Sequence, residues 1–237
     1  MTALKRQRVR DHLLELVETL PPGTAIPSER TLCARLDVSR PTLRAAVDEL
    51  VHTGLLVREH GRGMFVAKAK VTQELVGDGP VGAPRAGGRW GSKVLELSTI
   101  PAGARLGRKL GLSPGTEVTY VLRLRLADGE PIALEHLHIP AALAPGLSTR
   151  DFEARGFYAV LADRDIHVSQ ADQTIEPTVT DATESALLGV PPLSPALLFE
   201  RLTTDTGGRR VEYTHSVYRG DRYRIVSRLT FTPGESP

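Results

Sequence analysis

Apolar residues in the first part of the chain recur at helical spacing and then switch to alternation. Val9, Leu13, Leu16, Val17 and Leu20 mark one face of a helix over residues 4–20, and Pro21-Pro22-Gly23 stops it. Ser28 is placed to cap a short second helix that carries Leu32, Cys33 and Leu36, with Glu29 in its first turn. After the turn Asp37-Val38-Ser39-Arg40, the residues Leu43, Ala46, Val47 and Leu50 repeat at i, i+3, i+4 and i+7, which predicts a third helix from Ser39 to about Thr53. Ser39 is its N-cap, Pro41 falls in the first turn where a missing N–H costs nothing, and Gly54 is its C-cap. Residues 55–58 and 64–66 then read as two strands joined by Glu59-His60-Gly61-Arg62-Gly63, and residues 24–27 as a further short strand.

Residues 67–91 lack an apolar period and become rich in Gly, Pro and Ala, so they read as a linker, with Trp90 at its end either packing it onto a second domain or lining a ligand site. Beyond Lys93 alternation takes over. Val94, Leu95, Leu97 and Ile100 suggest a strand, and residues 103–110 a short helix closed by Gly111. Residues 117–126 form a clear strand, with Leu122, Leu124 and Leu126 on one face and Thr119, Val121, Arg123 and Arg125 on the other. Asp128-Gly129 turns the chain back into a strand over 132–139. Further strands are expected at 167–178, 197–204, 210–218 and 223–231, and helices at 157–163 and 181–188, the latter capped by Asp181 and ended by Gly189. About seven strands in antiparallel meanders with three helices make an α+β domain.

The length of 237 residues accommodates both parts as separate domains. Net charge is +2, but residues 1–70 hold 12 Lys and Arg against 8 Asp and Glu, while residues 71–237 hold 18 against 20. The basic part is the part with three helices, as expected of a surface that meets phosphates. The single cysteine, Cys33, excludes an intramolecular disulfide framework, and its place beside Leu32 and Leu36 suits a small buried apolar role. No stretch approaches a membrane-spanning length and no apolar signal region opens the chain, so the expected location is cytoplasmic, with no membrane partner. There is no serine elbow, phosphate loop or CxxC. His136 and His138 share a strand face but have no third ligand at suitable spacing, so no catalytic residue, cofactor or metal is expected.

The first turn of the third helix presents Ser39, Arg40, Thr42 and Arg44 away from its apolar stripe. Hydroxyls and arginines at an exposed helix N-terminus suit a major-groove reader, because arginine donates bidentately to guanine or binds phosphate. Residues 26–66 resemble the DNA-binding domain of the GntR family of bacterial transcription regulators. The carrying residues are Pro27-Ser28-Glu29-Arg30, Val38-Ser39-Arg40-Pro41-Thr42-Leu43-Arg44, Gly54-Leu55-Leu56 and Gly61-Arg62-Gly63-Met64-Phe65-Val66, four signatures in order. The resemblance implies a winged helix-turn-helix over residues 1–68, with Arg30 on the DNA backbone and Gly61 and Arg62 of the wing near the minor-groove wall. Arg40 and Arg44 are the candidates for base readout, and His60 stands between a phosphate contact and a solvated side chain.

In the second part, Arg123 and Arg125 share a strand face, and a three-residue loop at Asp128-Gly129-Glu130 with a bulge at the glycine pairs Arg123 with Glu135. Glu212, Thr214, Ser216 and Tyr218 likewise share one face. Taken alone, these faces fit either a ligand pocket or a solvated cross-strand ion pair. After a linker at 69–91, residues 92–233 resemble the UTRA domain of the HutC subfamily, whose antiparallel sheet with helices is shared with chorismate lyase. The segments that carry the resemblance are residues 124–140, 187–192 and 211–224. In sugar-phosphate-sensing members, the residues matching Arg123, Arg125, Glu135, Tyr158, Glu212 and Tyr218 line the effector site. The segment before the first strand is shorter than usual, leaving Ser92 as its candidate donor, and Gly156 stands where the subfamily often has a serine. Both departures remove anion donors and favour a different or smaller phosphate- or carboxylate-bearing effector.

The resulting expectation is a homodimeric regulator, in this family most often a repressor, that binds a short palindromic operator in double-stranded DNA and answers to a small anionic metabolite. The changing element is expected in the Gly/Pro stretch 76–91. Two alternatives stay open: an effector-independent DNA binder with a degenerate pocket, and an enzyme of chorismate-lyase type.

Overall fold

The computed structural model describes residues 2–59, 61–75, 89–154 and 156–229. The chain divides into two compact units, Met1–Ala69 and Lys70–Pro237.

The first unit contains α1 (Thr2–Thr19), α2 (Glu29–Leu36), α3 (Arg40–His52), β1 (Leu56–Glu59) and β2 (Gly63–Val66). Ser28 and Ser39 cap α2 and α3, their hydroxyls accepting from the backbone N–H of Thr31 and Thr42. Asp37 ends α2 at φ 50, a conformation open to Asp because its short side chain can bond locally. Thr53 caps α3, and Gly54 follows it at φ 72. The apolar stripe of α3 does what its spacing predicts: Leu43, Ala46, Val47 and Leu50 are buried against Val9, Leu13, Leu32, Leu56 and Val66. Each of the larger side chains contributes roughly 1.5–3 kcal/mol on burial. The stretch before α2 joins the wing: Ile26 N–H donates to Met64 O at 2.9 Å and Val66 N–H to Thr24 O at 2.9 Å.

The second unit is built on an antiparallel six-stranded sheet in the order β4-β5-β6-β9-β8-β7. The strands are β4 (Trp90–Pro101), β5 (Glu117–Ala127), β6 (Glu130–Pro140), β7 (Val168–Val179), β8 (Pro195–Asp205) and β9 (Arg210–Arg219). On one face, α5 (Thr149–Glu153) and α6 (Phe157–Ala162) pack Phe152, Phe157 and Leu161 onto Val121, Leu137 and Ile139. The other face takes α4 (Ala104–Leu110), whose Leu110 meets Val118, and α7 (Ala182–Leu188), whose Leu188 meets Leu124 and Leu134.

Several expectations need correction. Within the stretch read as a linker, Val71–Leu75 is a strand, β3, that runs parallel to β10 (Tyr223–Ser227), with Val71 opposite Tyr223. Trp90 and Gly91 are the first residues of β4, not linker. The remainder of that stretch, residues 76–88, lies outside the described residues. The last strand stops at Ser227 rather than residue 231, and it pairs with β3, not with the main sheet. The β5–β6 turn has two residues, Asp128 at φ 52 and Gly129 at φ 82, because Ala127 pairs with Glu130. The odd residue is Ile132, which bulges between the pairs Leu126–Pro131 and Arg125–Ala133 and so still brings Arg123 opposite Glu135. Helix α5 adds to the elements that periodicity predicts; a capping box between Ser148 and Asp151 starts it and buried Phe152 anchors it.

Candidate functional site

Two surfaces carry the candidate residues, one in each unit. In the first unit Arg40 opens α3 and is exposed, with Thr42 Oγ1 2.9 Å from Ser39 Oγ. Arg44 lies one turn on and its Nε donates to Glu29 Oε2 at 2.9 Å, while Arg58 approaches the other oxygen of Glu29 at 3.7 Å. Arg30 is exposed on α2. Among the described residues neither Arg30 nor Arg40 has an ion-pair partner, so both guanidinium groups are available to phosphate or base. In the wing, Arg62 pairs with Glu59 and its guanidinium sits 5.5 Å from the centre of the Phe65 ring. Gly61 has φ 72, and a Cβ there would meet nothing within 4 Å, so its requirement is backbone freedom rather than space. His60 lies outside the described residues.

In the second unit the sheet brings the candidate polar residues to the face covered by α5 and α6. Arg123 Nε donates to Glu135 Oε2 at 2.8 Å, and Tyr218 OH donates to the other oxygen of Glu135 at 2.9 Å. All three residues are buried. Burial works to raise the Glu135 carboxyl, but Arg123, then Arg125 and Arg201, outweigh it and hold it at about 2. Glu212 is the second acidic centre: Tyr158 OH donates to its Oε2 at 2.5 Å and Thr203 Oγ1 at 3.2 Å, with Arg201 Nη2 at 3.7 Å. Burial, then the Glu212 charge, pushes the Tyr158 phenol up, so it stays a donor. Arg125 lies against the Trp90 ring at 5.5 Å, and Ser92 stands opposite Arg125 across β4 and β5.

Sequence reasoning missed Arg201. Among the described residues three guanidinium groups, on Arg123, Arg125 and Arg201, face two carboxylates, on Glu135 and Glu212, which leaves a cation in excess. Four buried polar atoms here have no hydrogen-bond partner among the described residues: Ser92 Oγ, Arg125 Nε, Arg201 Nε and Thr214 Oγ1. Unpaired buried donors are costly and call for an explanation. Arg201, Thr214 and Tyr218 line a cavity of about 10 Å³, together with Gln173 and, from β3, Gln73. That volume holds roughly one water, and Ser92, Arg123, Arg125, Glu135, Tyr158 and Glu212 do not line it. Gly156 caps α6 at φ 79 and ψ 131, a backbone conformation that disfavours the serine expected there.

Residues 5–66 match the family described as "Bacterial regulatory proteins, gntR family", and residues 85–224 match the "UTRA domain". The chain is 35% identical over 209 residues to the HTH-type transcriptional repressor NagR of Bacillus subtilis, covering 87% of this chain and 86% of that one. It is 34% identical over 231 residues to the HTH-type transcriptional repressor PhnF of Mycolicibacterium smegmatis, covering 97% and 91%. With the histidine utilization repressor of Pseudomonas putida it shares 28% identity over 227 residues, 94% of this chain and 91% of that one. The crystal structure of PhnF from Mycobacterium smegmatis superimposes with a TM-score of 0.65 at 31% identity, covering 94% of this chain and 100% of the other.

Proposed function

The chain belongs to the GntR family of bacterial transcription regulators and its second half is a UTRA domain, and on that premise we propose that it is an operator-binding repressor released by a small anionic metabolite. The relatives named above are repressors, one of them of histidine utilization. The family therefore supports the regulator and leaves the metabolite to be read from the pocket.

In this reading the protein works in the cytoplasm as a homodimer, with two winged helices on the half-sites of a short palindrome. Arg40 and Arg44 read bases, with Ser39 and Thr42 beside them. Arg30, Gly61 and Arg62 hold the sugar-phosphate backbone. The effector binds among Ser92, Arg123, Arg125, Glu135, Tyr158, Glu212 and Tyr218, with Arg201 added. One observation carries the choice of an anion: three guanidinium groups against two carboxylates among the described residues, with Arg125 Nε and Arg201 Nε buried and unpaired. A phosphate or carboxylate supplies the missing charge and accepts from both forks. The same unpaired donors count against a degenerate pocket, since a site with no ligand to bind gains nothing from them.

Release is a population shift, limited by the difference in effector affinity between the DNA-binding and the released states. The element proposed to change is β3 rather than residues 76–91. It follows directly on the winged helix unit, which ends at Ala69, and its Gln73 lines the pocket.

The test is a thermal-shift screen of the intact protein against phosphorylated sugars, phosphonates, heteroaromatic carboxylates and inorganic phosphate, with an Arg125→Ala/Arg201→Met variant in parallel. A compound that stabilises only the unmodified protein, and that lowers its affinity for DNA from its own upstream region, supports the reading. Equal stabilisation of both proteins by every active compound overturns the assignment of the pocket.

A further inference from the structure

The sheet has a second polar face. His136 follows Glu135 on β6 and Tyr213 and His215 flank Thr214 on β9, so alternation turns them to the side away from the effector pocket. There the rings form a continuous floor. Tyr120 and His138 have centroids 5.3 Å apart, His138 and Tyr213 5.8 Å, and His136 and His215 5.9 Å. Helix α4 stands at one edge and contributes Arg105, Leu106 and Lys109, and the space between is an open cavity of about 350 Å³. Small-molecule sites commonly have volumes of this order.

Its charges are arranged at the rim. Lys109 Nζ lies 5.2 Å from the Tyr213 ring centre and donates to Glu200 Oε2 at 3.1 Å. Arg105 Nη2 lies 3.6 Å from Glu200 Oε1, with its side chain 82% exposed. Tyr213 OH also donates to Glu200. Two cations thus meet one carboxylate. Burial, with the neighbouring imidazoles, pushes His136 and His138 down from the usual range. Tyr120 OH lies 2.8 Å from His136 Nδ1, and with the phenol as donor the imidazole carries its proton on Nε2 and is itself a donor. His138 Nδ1 is buried with no partner among the described residues. Among those residues no three His, Cys, Asp or Glu side chains are placed to hold a metal ion.

We propose that this cavity is a second small-molecule site, for a planar aromatic or heteroaromatic carboxylate. The ring lies on the imidazole and phenol floor, and the carboxylate meets Arg105 and Lys109. An aliphatic acid of the same charge forgoes the ring contacts, and inorganic phosphate engages the cations alone. Glu200 and Arg201 are neighbours on β8, so the two sites lie back to back across one sheet, but this one does not depend on the effector reading.

The test is imidazole ¹H–¹⁵N NMR of the full-length protein, with the signals of His136, His138 and His215 identified by single His→Gln variants. The probes are benzoate, cyclohexanecarboxylate and inorganic phosphate. Benzoate is expected to shift these signals saturably, with affinity about tenfold lower for cyclohexanecarboxylate and about tenfold lower again in an Arg105→Ala/Lys109→Ala variant. Arg201→Met is expected to leave the benzoate shifts intact, which separates this site from the effector pocket. The proposal is overturned by the absence of a saturable benzoate shift or by equal affinity for the three anions. It is also overturned by signals that follow protein concentration instead of benzoate, in which case a second copy of the chain covers the face.

Discussion

Arg123 and Glu135 face each other across β5 and β6, Nε to Oε2 at 2.8 Å, and the pair is almost fully buried. Tyr218 holds the remaining carboxylate oxygen. Breaking such a pair from one side strands a charge in the interior and costs about 3–5 kcal/mol. Arg123→Met is therefore expected to lower stability by about that amount in urea unfolding, while the double variant Arg123→Met/Glu135→Leu recovers most of the loss.

The same pair sets an acid limit. Glu135 sits at about 2 in the folded protein, below its ordinary value of 4.5. A depressed folded-state pKa means that its stabilisation is complete above the unfolded value and is lost as pH falls toward the folded one. Glu135→Gln removes that dependence, so thermal unfolding scanned downward from about pH 6 should show a shallower decline below about pH 4.5 in the variant than in the unmodified protein.

Arg201 should behave unlike Arg123. Glu212 keeps Tyr158 and Thr203 as donors when Arg201 is removed. Arg201→Met is expected to cost less stability without ligand than Arg123→Met does, because Tyr158 and Thr203 still donate to Glu212. Anion-dependent stabilisation should vanish in the same variant. A loss of several kcal/mol without ligand would mean that Arg201 is structural.

On DNA, the exposed α3 arginines and the wing should separate by kind. Arg40→Ala is expected to cost about 1–3 kcal/mol on the operator and to relax preference at one base pair. Arg62→Ala should weaken operator and scrambled duplex alike and reduce the salt slope by about 1, as loss of a phosphate contact does. Fluorescence anisotropy at several salt concentrations reads both.

Gly156 explains a missing serine by backbone geometry. At φ 79 any side chain is strained, so Gly156→Ser should destabilise the protein by about 1–3 kcal/mol rather than restore an anion donor. Differential scanning calorimetry with and without a pocket ligand would register the loss.

The winged helix was legible because its determinants are local. Ser28, Ser39 and Gly54 punctuate helices whose apolar stripes lie within one or two turns, and the stripe Leu43, Ala46, Val47, Leu50 is the buried one. Arg123 and Arg125 were legible for a similar reason, since period-2 alternation puts them on one face of a strand, whereas Glu135 joins them through the bulge at Ile132 and not the three-residue loop expected. Arg201 was not: β8 carries Leu197, Leu198 and Phe199 in succession, so its pattern gives no inward face, and only pairing with β9 places Arg201 opposite Thr214. Strand β3 was hidden because its partner Tyr223 lies far along the chain, and no local period marks a strand so short.

The β3–β10 pairing also imposes an order on synthesis. The winged helix can close on its own core as soon as residue 66 is clear of the ribosome, as N-terminal domains do. Strand β3 must then wait until residues 223–227, about 150 residues further on, have been made before it has a partner and before Gln73 meets Tyr223. A chain interrupted in that interval keeps its three helices and wing but lacks the pairing that fixes a wall of the pocket. A stop after β9 and before residue 223 is therefore expected to leave operator binding and remove the response to effector, which operator affinity with and without ligand would read.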